Sequence, residues 1–210
     1  MKDAAFTHVL RFRLPIVFKI HTAQHITIKS ITMLEKQMAN PIQSPFTAQL
    51  LENLQYQGSS NDCGPYTTAT VINAIRGQNL VGDELAKQMN KPRWRGIFPI
   101  IRRIPNWATL PWGMVDVFSD YNLHGRWWFR VPLPYLRPAL NAGHLLMPII
   151  GEWRPKPWAH VMTLVAWHPE KGWGFANTQY RQHEINWRSD QYFQEKWNKY
   201  ARLLVEIDKP

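Results

Sequence analysis

The chain has a single cysteine, Cys63, in the run Gln57-Gly-Ser-Ser-Asn-Asp-Cys63-Gly-Pro. The following stretch, GPYTTATVINAIR from Gly64 to Arg76, predicts a helix. Pro65 suits its first turn, where a missing N–H costs nothing, Ala69, Ile72 and Ile75 recur at helical spacing, and Gly77 supplies a stop. Cys63 is then expected at the positive end of a helix, beside unpaired N–H groups that stabilise a thiolate and lower its pKa. Gly64 is expected to leave open space beside the sulfur for a substrate carbonyl.

Thiolate chemistry on an acyl group needs a base and donors aimed at the developing oxyanion. Gln57, six residues before Cys63, is the candidate donor together with the Cys63 N–H, and Gln55 is its competitor. His160 opens the strand-like run HVMTLVAW, and Asn177 lies on the next run across a PEKG turn. In an antiparallel pair, residues near the open ends approach one another, so Asn177 can orient His160. His168 is the weaker candidate, at the turn end of the same strand. Taken singly, each of these residues has an ordinary reading: a buried small thiol, a loop glutamine, a strand-end histidine. Asn61 and Asp62 read as loop or cap residues. The weight lies in the coincidence of roles.

The elements that must position these side chains follow from period and punctuation. After the nucleophile helix, a second helix is predicted over Asp83–Met89 and a third over Pro134–Asn141, ended by Gly143. Residues 91–135, rich in Pro, Gly and Trp, read as irregular connections with short elements. Strand-like runs then cover Leu145–Trp153, His160–Trp167 and Trp173–Gln179, followed by a helix from Ser189 to Tyr200 and a closing strand over Arg202–Ile207. Helices first and antiparallel strands second make an α+β arrangement. Residues 1–45 carry six bases, two acids and no tryptophan, and read as an N-terminal extension with a short strand at Ile26–Ser30. The alternative is a start at Met33 or Met38. Residues 46–210 read as one domain.

Composition sets further bounds. The 210 residues include 25 Lys plus Arg against 15 Asp plus Glu, a net charge of +10, and 45% are hydrophobic, enough to drive folding. No run approaches the roughly 20 apolar residues of a membrane span, and no secretory signal is visible, so a soluble cytoplasmic protein is expected. One cysteine excludes an intrachain disulfide and a Cys-rich zinc module. His21 and His25 have no third ligand nearby, so no metal is expected. The densest basic run is Lys91, Arg93, Arg95, Arg102 and Arg103, interleaved with Trp94 and Trp107. It reads as a solvated basic face in preference to a nucleic-acid patch, because no nucleic-acid motif accompanies it. Of the eleven tryptophans, most are expected in the core, with Trp158 near enough to shield His160.

The Gln57…Asp62-Cys63-Gly64 run resembles the nucleophile motif of papain-superfamily cysteine peptidases. It is most similar to the branch typified by the bacteriocin-leader (double-glycine) processing peptidases, in a free-standing form. That branch has Gln, then Asp-Cys-Gly opening a helix, later a strand-borne His, then Asp or Asn after a hairpin. The resemblance covers about residues 50–207. It implies a papain-like fold, with the nucleophile helix packed on a C-terminal antiparallel sheet, and a Cys63–His160–Asn177 triad with Gln57 in the oxyanion hole. It also implies hydrolysis of peptide or amide bonds through a thioester, without a cofactor, on a peptide or protein substrate. The family's third member is commonly Asp followed by Pro; here Asn177 is followed by Thr178. Two alternatives stand beside this reading. One is a peptidoglycan amidase or acyltransferase using the same triad. The other is a non-catalytic papain-like binding module with a basic, Trp-rich surface.

Overall fold

A computed structural model describes residues 40–210. The expected strand at Ile26–Ser30, the His21–His25 pair and the starts at Met33 and Met38 lie outside the described residues. The first half of the described chain holds β1 (Ile42–Gln43), α1 (Thr47–Glu52), α2 (Cys63–Arg76), α3 (Gly82–Met89), β2 (Arg93–Arg95), β3 (Phe98–Ile100), β4 (Arg103–Ile104), β5 (Ala108–Thr109) and α4 (Pro111–Asp120). The second half holds β6 (His124–Trp128), α5 (Leu133–Asn141), β7 (Leu145–Glu152), β8 (Trp158–Val161), β9 (Thr163–His168), β10 (Gly172–Ala176), β11 (Asn186–Arg188), α6 (Asp190–Lys199) and β12 (Leu204–Lys209). The architecture is α+β. Its main sheet runs β11-β10-β9-β7-β12-β6, with β1 added on β9 and β8 on β7, every pair antiparallel. The sheet therefore takes in chain from before residue 46.

The two-residue period of the strands sorts side chains into two cores. Leu145, Met147 and Ile149 of β7 join Leu50, Val71, Ile72, Met114 and Phe118 on the face covered by α1 to α4. Leu146 and Ile150 join Leu136, Leu140, Phe193 and Trp197 on the face covered by α5 and α6. A strand buried on both faces reads as an unbroken apolar run, as Leu145–Ile150 does. Helix α2 is buried from Gly64 to Asn73, polar threonines included. Thr67 Oγ1 donates to the Val161 carbonyl at 3.2 Å and ties the helix to β8.

Three expectations are corrected here. The stretch 91–135 is more regular than it reads: it contains two hairpins, β2–β3 and β4–β5, and the helix α4, which begins at Pro111 in the first-turn position proline favours. Most tryptophans are not core. Trp167, Trp173 and Trp197 are buried, whereas Trp94, Trp107, Trp112, Trp153 and Trp158 are exposed. The basic run is not a free face either. Arg93, Arg95 and Arg102 converge on Asp116, Arg93 also meets Asp120, and Arg103 is buried against Asp62. Cations already neutralised by carboxylates have less to offer phosphates.

On β12 the Glu206 carboxylate is fully buried. Arg126 Nε donates to it at 3.0 Å, Trp128 Nε1 at 3.1 Å and His144 Nδ1 at 2.7 Å, and the Tyr135 hydroxyl donates as well. Burial by itself raises the Glu206 pKa, but the bonds from Arg126, Tyr135 and His144 outweigh it and hold the group below its ordinary range. A depressed folded pKa contributes stability that is complete above the unfolded value and lost as pH falls through the folded one. Glu206→Gln is expected to cost about 3 kcal/mol at neutral pH, because it leaves buried donors facing an amide. Urea denaturation should show that gap narrowing as the solution is made strongly acidic.

Candidate active site

Cys63 is the first residue of α2 and is partly exposed. Its neighbour Asp62 makes no side-chain cap bond to the helix; its carboxylate turns instead to Arg103 on β4, whose side chain is 2% exposed. Asn61 reaches the same region, donating to the Asn106 carbonyl at 3.1 Å. Arg103 faces Thr109 across the β4–β5 hairpin. The Thr109 side chain fills the space beside Gly64: a Cβ built there would lie 2.4 Å from Thr109 Cβ. Gly64 therefore admits a neighbouring strand, and the expected open space for a substrate carbonyl is not at its Cα. The Thr109 hydroxyl is buried with no hydrogen-bond partner among the described residues.

His160 is the third residue of β8 and pairs with Ile150 of β7, so it lies within a strand that starts two residues earlier than expected. The chain bends at Met162, where β8 gives way to β9, and Asn177 follows directly on the end of β10. His160 Nε2 and Asn177 Oδ1 are 2.7 Å apart, both side chains buried. The Asn177 amide has its orientation settled by its neighbours. Its Oδ1 also accepts the Gln179 N–H at 3.1 Å, and its Nδ2 donates to Asn186 Oδ1 at 3.3 Å. With Oδ1 as acceptor, His160 must donate from Nε2, and its Nδ1 carries the lone pair.

Gln57 is buried and clasped by Thr178, the residue after Asn177. The Gln57 N–H donates to the Thr178 carbonyl at 2.9 Å, and the Thr178 hydroxyl donates to Gln57 Oε1. Gln57 Nε2 gives one hydrogen to the Ser60 carbonyl at 2.8 Å, which leaves its second hydrogen unassigned. The competitor Gln55 is committed elsewhere: it donates to the Leu80 carbonyl at 2.7 Å and accepts the Gly82 N–H at 2.9 Å, stapling the start of α3. His168 sits at the β9–β10 turn, where its Nδ1 accepts the Glu170 N–H at 3.1 Å.

The electrostatics depart from the sequence-based expectation. Burial pushes the Cys63 thiol up, against the opposing pull of the Val161 and Gly64 backbone groups and of the Arg103 charge; the Asp62 carboxylate adds to the rise. Burial also pushes His160 down to about 4, despite the Asn177 bond that favours its charged form, and the Arg188 charge lowers it further. Both shifts favour the uncharged form of each group at neutral pH. The helix terminus does act on the sulfur, but desolvation of the charged form is the larger effect. The thiol interacts with the backbone of Val161 on β8, one residue on from His160 in the chain. In the sequence, Asn186 and Arg188 carry no role in the site, Arg103 reads as part of a solvated basic face, and Thr178 enters only as the residue after Asn177. Only Thr178, adjacent to Asn177, carries a local signal.

Among the described residues no group of three or more His, Cys, Asp or Glu side chains converges as a metal site, and no helix is long and apolar enough to cross a membrane. No family model and no curated protein matches the chain. Among solved structures, a Bacillus anthracis protein provisionally assigned as a C39-like peptidase superposes with a TM-score of 0.57 at 8% identity, over 81% of this chain and 98% of that one. So low an identity speaks for the fold alone. The protein has an α+β fold similar to that of this provisionally assigned C39-like peptidase.

Proposed function

We propose that the protein hydrolyses peptide or amide bonds through a thioester at Cys63. His160 is the base and acid, Asn177 its positioning partner, and Gln57 an oxyanion donor. The observation that carries this reading is the buried His160 ring, held at Nε2 by Asn177, one residue from the Val161 backbone that meets the Cys63 thiol. Nδ1 takes the thiol proton as sulfur attacks the carbonyl carbon, so that charge is created only as the bond forms. The oxyanion accepts from the Cys63 N–H, which the helix leaves without an acceptor, and from the second Gln57 Nε2 hydrogen. The imidazolium then protonates the departing amine. Water, deprotonated by the same nitrogen, attacks the thioester and releases the acid and the thiol. These side chains and water supply every proton in the cycle.

A peptide mixture made by tryptic digestion of a bacterial lysate, followed by mass spectrometry of new termini, tests the proposal. New termini are expected with the wild type and none with Cys63→Ala. Identical patterns for the two proteins would sink it. Soluble fragments released from purified cell walls, with peptides untouched, would make it a peptidoglycan amidase. The reading as a non-catalytic papain-like module that binds through a basic, Trp-rich surface gains if Cys63 resists iodoacetamide across the pH range and no peptide is cut.

A further inference from the structure

All but one of the hydrogen-bonding positions of Gln57 are engaged. Its N–H donates to the Thr178 carbonyl at 2.9 Å, and its carbonyl accepts the Ser60 hydroxyl at 2.9 Å and the Ser60 N–H at 3.4 Å. The side chain folds back over the same turn, where Nε2 donates to the Ser60 carbonyl at 2.8 Å. That carbonyl can only accept, so it fixes which end of the amide faces it and leaves Oε1 on the other side. There the Thr178 hydroxyl donates to Oε1. Gly58 stands inside the turn at a φ of 65°, which glycine adopts without strain. One Nε2 hydrogen remains. Gln57 is 7% exposed and Thr178 1%, so the bond between them lies away from bulk water. Thr178 also follows Asn177, whose Oδ1 meets His160 Nε2 at 2.7 Å. The Asn177 carbonyl accepts the Tyr180 N–H and its Oδ1 the Gln179 N–H, both at 3.1 Å, which closes the turn. The partner of the proposed base and the partner of the proposed oxyanion donor are therefore consecutive residues of one turn.

We infer that Thr178 is a positioning residue for the oxyanion donor. Its hydroxyl and carbonyl hold Gln57 with the uncommitted Nε2 hydrogen ready for the substrate's carbonyl oxygen, and its peptide bond to Asn177 ties that donor to the orientation of His160. This rests on the hydrolase reading above and deepens it. Oxyanion donors act by standing in place before charge develops, so a donor recruited during the reaction loses most of its effect. Gln57 belongs to a loop, outside any helix or strand, and its long side chain has rotamer freedom that the loop alone does not remove. Thr178 supplies the missing constraint from the far side of the sequence. Without its hydroxyl, Oε1 is left buried with no donor, which favours rotamers that carry it to water and swing Nε2 away. Serine can replace the hydroxyl; valine matches the shape of threonine and cannot.

The test uses the full chain and a peptide from the mixture above that the wild type cuts. In Thr178→Val, kcat is expected to fall about 10- to 100-fold with KM little changed, and Thr178→Ser should stay within about threefold of the wild type. Gln57→Ala should lose about 100-fold. Adding Thr178→Val to Gln57→Ala should cost nothing further in kcat, because no donor is left to position. A threonine that serves only the fold would lower the rate by the same factor in both backgrounds. That result, or a Thr178→Val protein with wild-type kcat, overturns this inference and spares the hydrolase reading. Nuclear magnetic resonance reads the clasp without turnover. The Gln57 side-chain amide, assigned by its absence from Gln57→Ala, should give two shifted, slowly exchanging proton signals in the wild type and Thr178→Ser. In Thr178→Val it should resemble free glutamine. A wild-type amide that already does so, or one that Thr178→Val leaves unmoved, overturns the inference whatever the activity. No Cys63-dependent cleavage, with the amide held as expected, overturns the hydrolase reading and with it the role of Thr178 in the reaction. Thermal melting separates a lost rate from a lost fold. If Thr178→Val does not fold, Thr178→Ala against Thr178→Ser reads the same hydroxyl in two smaller side chains.

Discussion

His160→Ala is expected to lower kcat for a cleaved peptide by about three orders of magnitude and to change the shape of its pH profile. With His160 present, the rate should rise as pH passes about 4, where the buried imidazole loses its proton, and then level off while Nδ1 acts as base. Without it, attack depends on thiolate already formed in solution. Burial holds that thiol above its ordinary range, so the residual rate should climb about tenfold per pH unit through neutrality and beyond. A variant whose profile keeps the wild-type shape would remove His160 from the mechanism. The same group has a stability signature. An imidazole that resists protonation in the fold accepts it readily when unfolded, so folded stability is present above about 6.5 and is lost as pH falls toward about 4. A melting series over that window, compared with His160→Ala, reads the difference. The variant itself should lose about 1–3 kcal/mol at neutral pH, since Asn177 is left short of a buried partner.

The second large effect is expected at Arg103. Its side chain is 2% exposed and pairs with Asp62, itself 18% exposed, directly before Cys63. Arg103→Met removes one partner of a buried pair and leaves the other charged, which costs about 3–5 kcal/mol. Because the stranded Asp62 carboxylate opposes ionisation of Cys63, and the Arg103 charge no longer assists it, the thiol should rise further. Iodoacetamide alkylation followed by intact mass at several pH values should shift to more alkaline conditions than in the wild type. Adding Asp62→Leu to Arg103→Met should restore much of the stability, since a buried pair replaced by apolar groups of similar volume is often neutral. Failure of the double variant to recover would mean that Arg103 acts through packing of the β4–β5 hairpin and not through its charge.

Much of the scaffold was legible because it is written in local patterns. Gly64 to Arg76 has helical spacing and a proline in its first turn, and the helix does begin at Cys63. The apolar runs after Leu145 became the central strands, and Ser189 caps the last helix by accepting the Tyr192 N–H at 3.2 Å. The α4 helix was hidden because Pro111, Trp112 and Gly113 read as punctuation, whereas the first turn of a helix accepts proline and its buried Met114, Val117 and Phe118 supply the face. The tryptophans misled because ring size favours burial only where an element has a core to face, and the β2–β3 hairpin and the β7–β8 turn leave theirs outward.

The sequence by itself determined the order of Gln57, Cys63, His160 and Asn177 and the type of element each sits on. Turn residues, caps and hydrophobic period act over a few neighbours, and those are visible in the chain. Only the tertiary structure decided what surrounds them. Gln57 is clasped by Thr178 from 121 residues away, and Asp62 by Arg103 from 41. It also reversed the expected ionisation of the thiol. A helix terminus is a local property, but desolvation depends on tertiary packing, and here the β8 backbone meets the thiol at Val161 while Thr109 of the β4–β5 hairpin packs beside Gly64.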